Sequence, residues 1–263
     1  MRPDPDIVVD NLPVHSSGCE DGSLLNRTEK CLYVCLQFPT EPNLRWFTLC
    51  RKPDKTVNKT ESLSGNILVP VQIRNSPPIE WSNLVAVDHK LYAINKEDDV
   101  TSCSSNVFFL DCRTHTWVVE GLVDSASGRS VFLTKDLVEF GSACLIEKID
   151  YCYGSTGEFL WSNNSAEVDG WKKVEGLEGL SKLARYSNVN LVDCGGKMLV
   201  FWDKYVPAGN KEKMIWCAEI SLEMRSSGEQ VWGKVEWFDA VLKVPKSYKF
   251  VYSIAATGTM VPL

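Results

Sequence analysis

Three stretches of this chain repeat one plan. Each has an apolar strand-length run, a polar turn, a second run, a loop, a third run, and later a tryptophan. The first runs Leu84–Ile94, Val107–Asp111, then Trp117. The second runs Cys144–Tyr153, Glu158–Trp161, then Trp171. The third runs Val189–Trp202, Met214–Cys217, then Trp232. The closing tryptophans stand 54 and 61 positions apart. A partial fourth copy lies upstream, in Leu32-Tyr33-Val34 and Arg45–Cys50. This repetition restricts the fold severely. One four-stranded unit of ~45–50 residues exposes both faces of a small twisted sheet and cannot bury them alone. Stacking such units around an axis covers the faces and leaves only short edges. Large Trp and Tyr side chains suit the wedge between neighbours.

The remaining apolar runs fit the same reading. Cys31–Phe38, Asn66–Val71, Asn83–Val87, Lys90–Ile94, Ala143–Ile146, Ile149–Tyr153, Val231–Phe238 and Phe250–Ala255 are strand-length. They are rich in Val, Ile, Tyr, Phe and Trp and bounded by Gly, Pro, Asn, Asp or Ser. Val174–Ala184 is the one tempting helix, and two glycines weaken it. The pattern is all-β, in a sandwich, barrel or propeller, and the repeats select the propeller. The domain expectation is an irregular lead-in over 1–30, a propeller over 31–255 and a tail over 256–263. The uncharged stretch after Lys249 reads as a closing strand rather than a membrane anchor.

Of the 263 residues, 44% are hydrophobic, enough for a real core. With 28 Lys+Arg against 34 Asp+Glu the net charge is −6, a poor match to a phosphate backbone, so no nucleic-acid partner is expected. No apolar run reaches the ~20 residues of a membrane span, so no membrane partner is expected either. Met1-Arg2-Pro3-Asp4-Pro5-Asp6 is not followed by a secretory core. The expected compartment is therefore reducing, the cytoplasm or nucleus, where nine of the ten cysteines, all but Cys19, serve as small apolar residues.

Longer strings are more specific. Cys31–Leu36, Arg45–Cys50, Asn75-Ser-Pro-Pro78, Phe109–Trp117, Val174–Leu180, Asp203–Pro207, Met214–Ala218 and Val231–Ala240 resemble plant F-box/kelch-repeat proteins. The resemblance spans roughly residues 22–255. It implies a kelch-type β-propeller, here of about four to five blades against the six of the family ring. Only 26 residues separate Trp117 from Cys144, where the family places further blades. A four-bladed ring, an open arc and a ring completed by a partner all fit. The double glycine of the kelch motif is largely missing, and Gly195-Gly196 precedes its strand. The family also carries an F-box, a helical module that docks the Skp-type adaptor of a cullin-based ubiquitin ligase. Residues 1–22 show no amphipathic helical pattern, so the F-box is expected to be missing. The resemblance then implies a protein substrate held on a propeller face. A Skp-type adaptor and cullin are partners only if an F-box is supplied elsewhere.

No catalytic, cofactor-binding or metal residue is assigned, and the expectation is a non-enzymatic binding module. The alternative is a kelch-propeller enzyme or specifier protein acting on a small molecule through a bound metal. Its best trace is Asp111 and His115, which have part of the Glu-x-x-x-Asp-x-x-x-His spacing of iron-dependent specifier proteins. Val107 occupies the Glu position, so the pair reads instead as bracketing a turn before Trp117. The carboxylates of Glu97-Asp98-Asp99 and Glu147–Asp150 and the basic loop Arg51–Lys55 read as solvated turns. Candidate face loops are Asn95–Ser105, Ser155–Glu158 and Tyr205–Lys213. Trp46, Trp81, Trp117, Trp171, Trp202 and Trp232 are expected in the core rather than on a ligand.

Overall fold

The computed structural model describes residues 29–41, 43–51, 65–73, 84–96, 104–124, 143–163, 170–185, 187–206, 211–225 and 228–258. They form four antiparallel four-stranded sheets, the blades of a β-propeller. Blade 1 combines β1 (Glu29–Gln37), β2 (Arg45–Arg51) and β3 (Asn66–Val71) with the last strand of the chain, as set out below. Blade 2 holds β4 (Leu84–Val87), β5 (Lys90–Lys96), β6 (Ser104–Asp111) and β7 (Thr116–Asp124). Blade 3 holds β8 (Ala143–Ile146), β9 (Ile149–Tyr153), β10 (Phe159–Ser162) and β11 (Lys172–Lys173), followed by helix α1 (Glu178–Ala184). Blade 4 holds β12 (Asn190–Asp193), β13 (Met198–Tyr205), β14 (Glu212–Arg225) and β15 (Gln230–Pro245). Strand β16 (Lys249–Gly258) then returns to pair with β1, from Glu29↔Gly258 to Gln37↔Lys249. The closing-strand expectation holds, and β16 runs three residues into the segment read as a tail.

Strands β4, β8, β12 and β16 lead their sheets and meet around the axis, where they line a cavity of about 360 Å³. Contacts between them run β4–β16–β12–β8, so the blades follow one another in space as 2, 1, 4, 3. Three apolar clusters fill three wedges. Tyr33, Trp46, Leu91, Leu110 and Trp117 pack between blades 2 and 1. Leu36, Phe47, Phe201, Ile215 and Val244 pack between blades 1 and 4. Tyr151, Phe159, Trp161, Met198 and Trp202 pack between blades 4 and 3. Each large side chain so enclosed contributes roughly 1.5–3 kcal/mol of burial free energy.

Polar groups tie the wedges as well. The Tyr33 hydroxyl, in blade 1, donates to the Cys112 carbonyl of blade 2 at 3.0 Å. The Tyr252 hydroxyl donates to the Leu84 carbonyl at 3.1 Å. Between blades 1 and 4, Asp239 Oδ2 accepts from both the backbone N–H and the side-chain amide of Asn66, at 2.9 and 3.0 Å. Asp239 is 2% exposed, so those hydrogen bonds replace the water it has lost.

Two expectations are adjusted. The helix begins only at Glu178, because Gly176 sits at φ +82° and a Cβ there would lie 2.6 Å from the Gly233 carbonyl oxygen. Trp46, Trp117 and Trp202 are buried as expected, and Trp171 is half-buried, but Trp232 is 38% exposed under the Arg225 guanidinium, 4.7 Å from its ring centre. It stands where β14 and β15 run on past the start of β13 at Met198, bridged there to Glu175. Trp81 lies outside the described residues. None of the eight cysteines among the described residues is in a disulfide.

Candidate protein-binding end of the propeller

The two ends of the propeller differ in how the chain crosses them. At one end third strands join fourth, and the first strands of blades 2, 3 and 4 join their second strands. Asp88-His89 and Glu147-Lys148 make that crossing as two-residue turns, with φ of +50° and +69° at Glu147 and Lys148. Asp193–Lys197 does so with Gly195 and Gly196 at positive φ, and the Gly196 N–H donates to Asp193 Oδ1 at 2.8 Å. Such turns leave little surface to vary.

The same end carries Asp111 and His115, and the geometry supports their turn reading. Asp111 accepts the Arg113 backbone N–H at 2.9 Å and the Arg113 guanidinium at 2.8 and 3.1 Å. The guanidinium hydrogen bond holds its carboxyl down at about 2. His115 closes the turn at φ +51°. Its Nε2 lies 3.1 Å from the Tyr33 hydroxyl oxygen, which is left to accept because the hydroxyl proton goes to Cys112. Burial lowers the His115 pKa, so the ring is neutral at pH 7. Both side chains are spent on the turn and the wedge.

At the other end every second strand joins its third and every fourth strand leaves for the next blade. All three sequence-selected face loops are second-to-third connections, so the topology gathers them at this one end. The centre of Asn95–Ser105 (residues 97–103) and residues 207–210 of Tyr205–Lys213 lie outside the described residues. Ser155–Glu158 is described in full. Its Gly157 N–H donates to the Gly154 carbonyl at 2.9 Å, and α1 stands beside it across a shallow charged hollow that includes Lys173, Lys182 and Arg185. Phe38 in the β1–β2 connection lies under the Arg45 guanidinium, which is bound to Glu41 at 2.5 Å.

No sequence spacing signals the polar node that anchors this end. Asp203, near the end of β13, is 8% exposed. Its Oδ2 accepts the Tyr248 hydroxyl at 2.6 Å and the Lys213 ammonium at 3.1 Å. Its backbone carbonyl accepts the Ser187 hydroxyl at 2.7 Å. Burial and the Asp203 carboxylate push the Tyr248 pKa up, so the phenol stays neutral. Lys213 also faces the rings of Tyr205 and Tyr248, at 5.2 and 5.8 Å. Three residues spread over 45 positions of sequence thus fix the β13–β14 and β15–β16 connections side by side.

What the arrangement can do is bind. It presents varied loops, an exposed Tyr205 and mixed charge on a rigid frame. Among the described residues no group of three His, Cys, Asp or Glu side chains is placed to hold a metal.

Comparison with known proteins agrees with this architecture. The family model described as FKB95, Kelch-repeats domain, matches residues 46–121 and 124–242. Its break falls within β7, beside the short spacing between Trp117 and Cys144. The F-box/kelch-repeat protein At5g48990 of Arabidopsis thaliana is 43% identical over 314 residues, covering 89% of this chain and 84% of that protein. The putative F-box/kelch-repeat protein At4g39600 of the same plant is 43% identical over 311 residues, with the same coverage. F-box/kelch-repeat protein At5g48980 is 41% identical over 326 residues, covering 89% and 81%. Since 89% of 263 residues is far short of 311 aligned positions, the relatives carry insertions that this chain lacks, on the order of one to two blades of ~45–50 residues. The chain belongs to the plant F-box/kelch-repeat family.

Proposed function

We propose that this chain is a non-enzymatic protein-interaction module, the substrate-recognition propeller of an SCF-type (Skp-cullin-F-box) ubiquitin ligase receptor. The observation that carries the reading is the segregation of the two ends. The first-to-second connections of blades 2, 3 and 4 are tight turns at one end, while the varied second-to-third connections and Tyr205 share the other. In this reading the loop end holds the protein substrate, and adaptor docking belongs to a segment outside the four blades. The names of the relatives support the ligase context, and each describes its own protein alone. The site of action is the cytoplasm or nucleus.

The test pairs the purified full chain with a recombinant Skp-type adaptor and, separately, with plant extract, each followed by chemical cross-linking and peptide mapping. Protein substrates are expected to cross-link at residues 38–44, 154–158 and 246–248. Adaptor cross-links that fall on the blades themselves, or substrate cross-links confined to the tight-turn end, would overturn the reading.

A further inference from the structure

The loop end is charged against the grain of the chain. The net charge is −6, yet the end of blade 4 and the start of β16 gather Lys204, Lys211, Lys213, Lys243, Lys246 and Lys249. Register brings them together from two segments far apart in sequence. Tyr205 pairs with Lys213, Glu212 with Pro245, and the Lys246 N–H donates to the Lys211 carbonyl at 2.8 Å. Carboxylates in the same region are already engaged. Asp203 holds Lys213 and Tyr248, Glu212 holds Lys243 at 2.6 Å, and Glu41 in the neighbouring blade 1 connection holds Arg45. Lys204 is turned to the Arg185 carbonyl at 2.5 Å. Lys211, Lys246 and Lys249 remain exposed, and among the described residues none of them is in an ion pair. Tyr205 rises among them, 52% exposed, with Lys246 5.8 Å and Lys213 5.2 Å from its ring centre.

We infer that the patch around Tyr205, Lys211, Lys246 and Lys249 is the docking surface for an Asp/Glu-rich segment of the partner protein. The inference rests on the receptor reading above and names the chemistry of what that receptor takes. Its physical basis is complementarity. Exposed cations on an acidic protein steer and orient an acidic partner while repelling it elsewhere. Tyr205 supplies a rigid amphipathic anchor at the centre, with cations already beside its ring. The cations are lysines. Lysine is a flexible, strongly hydrated point charge without the planar fork that matches one phosphate group, so the patch suits spread carboxylates better than a single phosphoryl group.

The experiment is fluorescence anisotropy with the full chain and labelled peptides of one length. One is rich in Asp and Glu with spaced leucines, one is neutral, and one carries phosphoserine in place of the acidic residues. Vesicles of phosphatidylcholine doped with phosphatidylserine form a fourth arm. The acidic peptide is expected to bind and to weaken steeply from 0.1 M to 1 M salt, as the screening length shrinks from ~10 Å to ~3 Å. Lys211→Glu/Lys246→Glu/Lys249→Glu is expected to weaken it about tenfold or more, since each exposed pair is worth roughly a factor of two to five. Tyr205→Ala should lose about tenfold as well. All four side chains are exposed, so melting temperature checks that the variants remain folded. Equal binding of the neutral peptide, binding of the phosphopeptide or vesicles alone, or an unchanged affinity in the triple variant would overturn the inference. A chain that cross-links its partner at the loop end yet ignores the acidic peptide would keep the receptor reading and lose this one.

Discussion

Tyr248→Phe isolates the node that fixes the loop end. The substitution keeps the ring in the apolar cluster between blades 1 and 4 and removes one O–H. That hydroxyl donates at 2.6 Å to a carboxylate that is 8% exposed, where water cannot readily replace it. A hydrogen bond to a charged group contributes roughly 1.5–3 kcal/mol. Lys213 stays on the same oxygen at 3.1 Å, so the loss should sit near the lower end, about 2 kcal/mol. For a chain of this size that corresponds to a fall in melting temperature of about 4–8 °C. Lys213→Met should cost more, about 3 kcal/mol, because it leaves a buried carboxylate without its cation. The double variant should deviate from additivity by about 1 kcal/mol, since both partners share Oδ2. Urea unfolding at pH 7 reads all three as shifts in midpoint at constant slope. A Tyr248→Phe loss below ~0.5 kcal/mol, the range of ordinary surface changes, would refute the reasoning.

Other predictions follow from burial and backbone geometry. Burial raises the thiols of Cys35 and Cys112 to about 12, against about 9 in the unfolded chain. The unfolded state therefore releases protons first as pH rises past 9, and stability should decline by up to ~1.4 kcal/mol per pH unit per group until about 12. Urea midpoints that stay flat from pH 8 to 10.5 would contradict this. Gly176→Ala must place a Cβ 2.6 Å from the Gly233 carbonyl oxygen at φ +82°, and should cost about 2 kcal/mol or more. Gly179→Ala lies inside α1 with open space around it and should gain ~0.5–1 kcal/mol. Thermal melts of the pair should move in opposite directions. Trp161→Ala, 1% exposed between blades 3 and 4, should cost ~3–5 kcal/mol, whereas Trp232→Ala should cost about 1 kcal/mol.

Local pattern made the strands legible. Asn66–Val71, Ala143–Ile146 and Ile149–Tyr153 match their observed bounds, because each is an apolar run between turn residues. Strand β11 was illegible, being two exposed lysines paired only to β10. The ends of β14 and β15 also extend beyond their apolar centres, since in a long hairpin the backbone ladder continues over charged residues such as Glu223 and Arg225. Repeat spacing gave the blades, and the short span from Trp117 to Cys144 marked where the chain is lean. Sequence selected three face loops without saying where they lie, and strand order put them at one end. The functional chemistry of that end was hidden because it is built across blades and segments. Asp203, Lys213 and Tyr248 share no local motif, and neither do Lys211, Lys246 and Lys249. A charge map of the two segments 203–213 and 243–249 read together would have exposed the lysines, but nothing in either segment alone pairs them.

The central claim is that partners are held at the loop end. Hydrogen exchange of the full chain, free and with a protein captured from plant extract and then purified, tests it most directly. The account predicts slowed exchange on binding at residues 38–44, 154–158, 204–206 and 246–249, with the turns at 88–89, 147–148 and 193–197 unchanged. Protection at those turns, with the loop end unchanged, would contradict it.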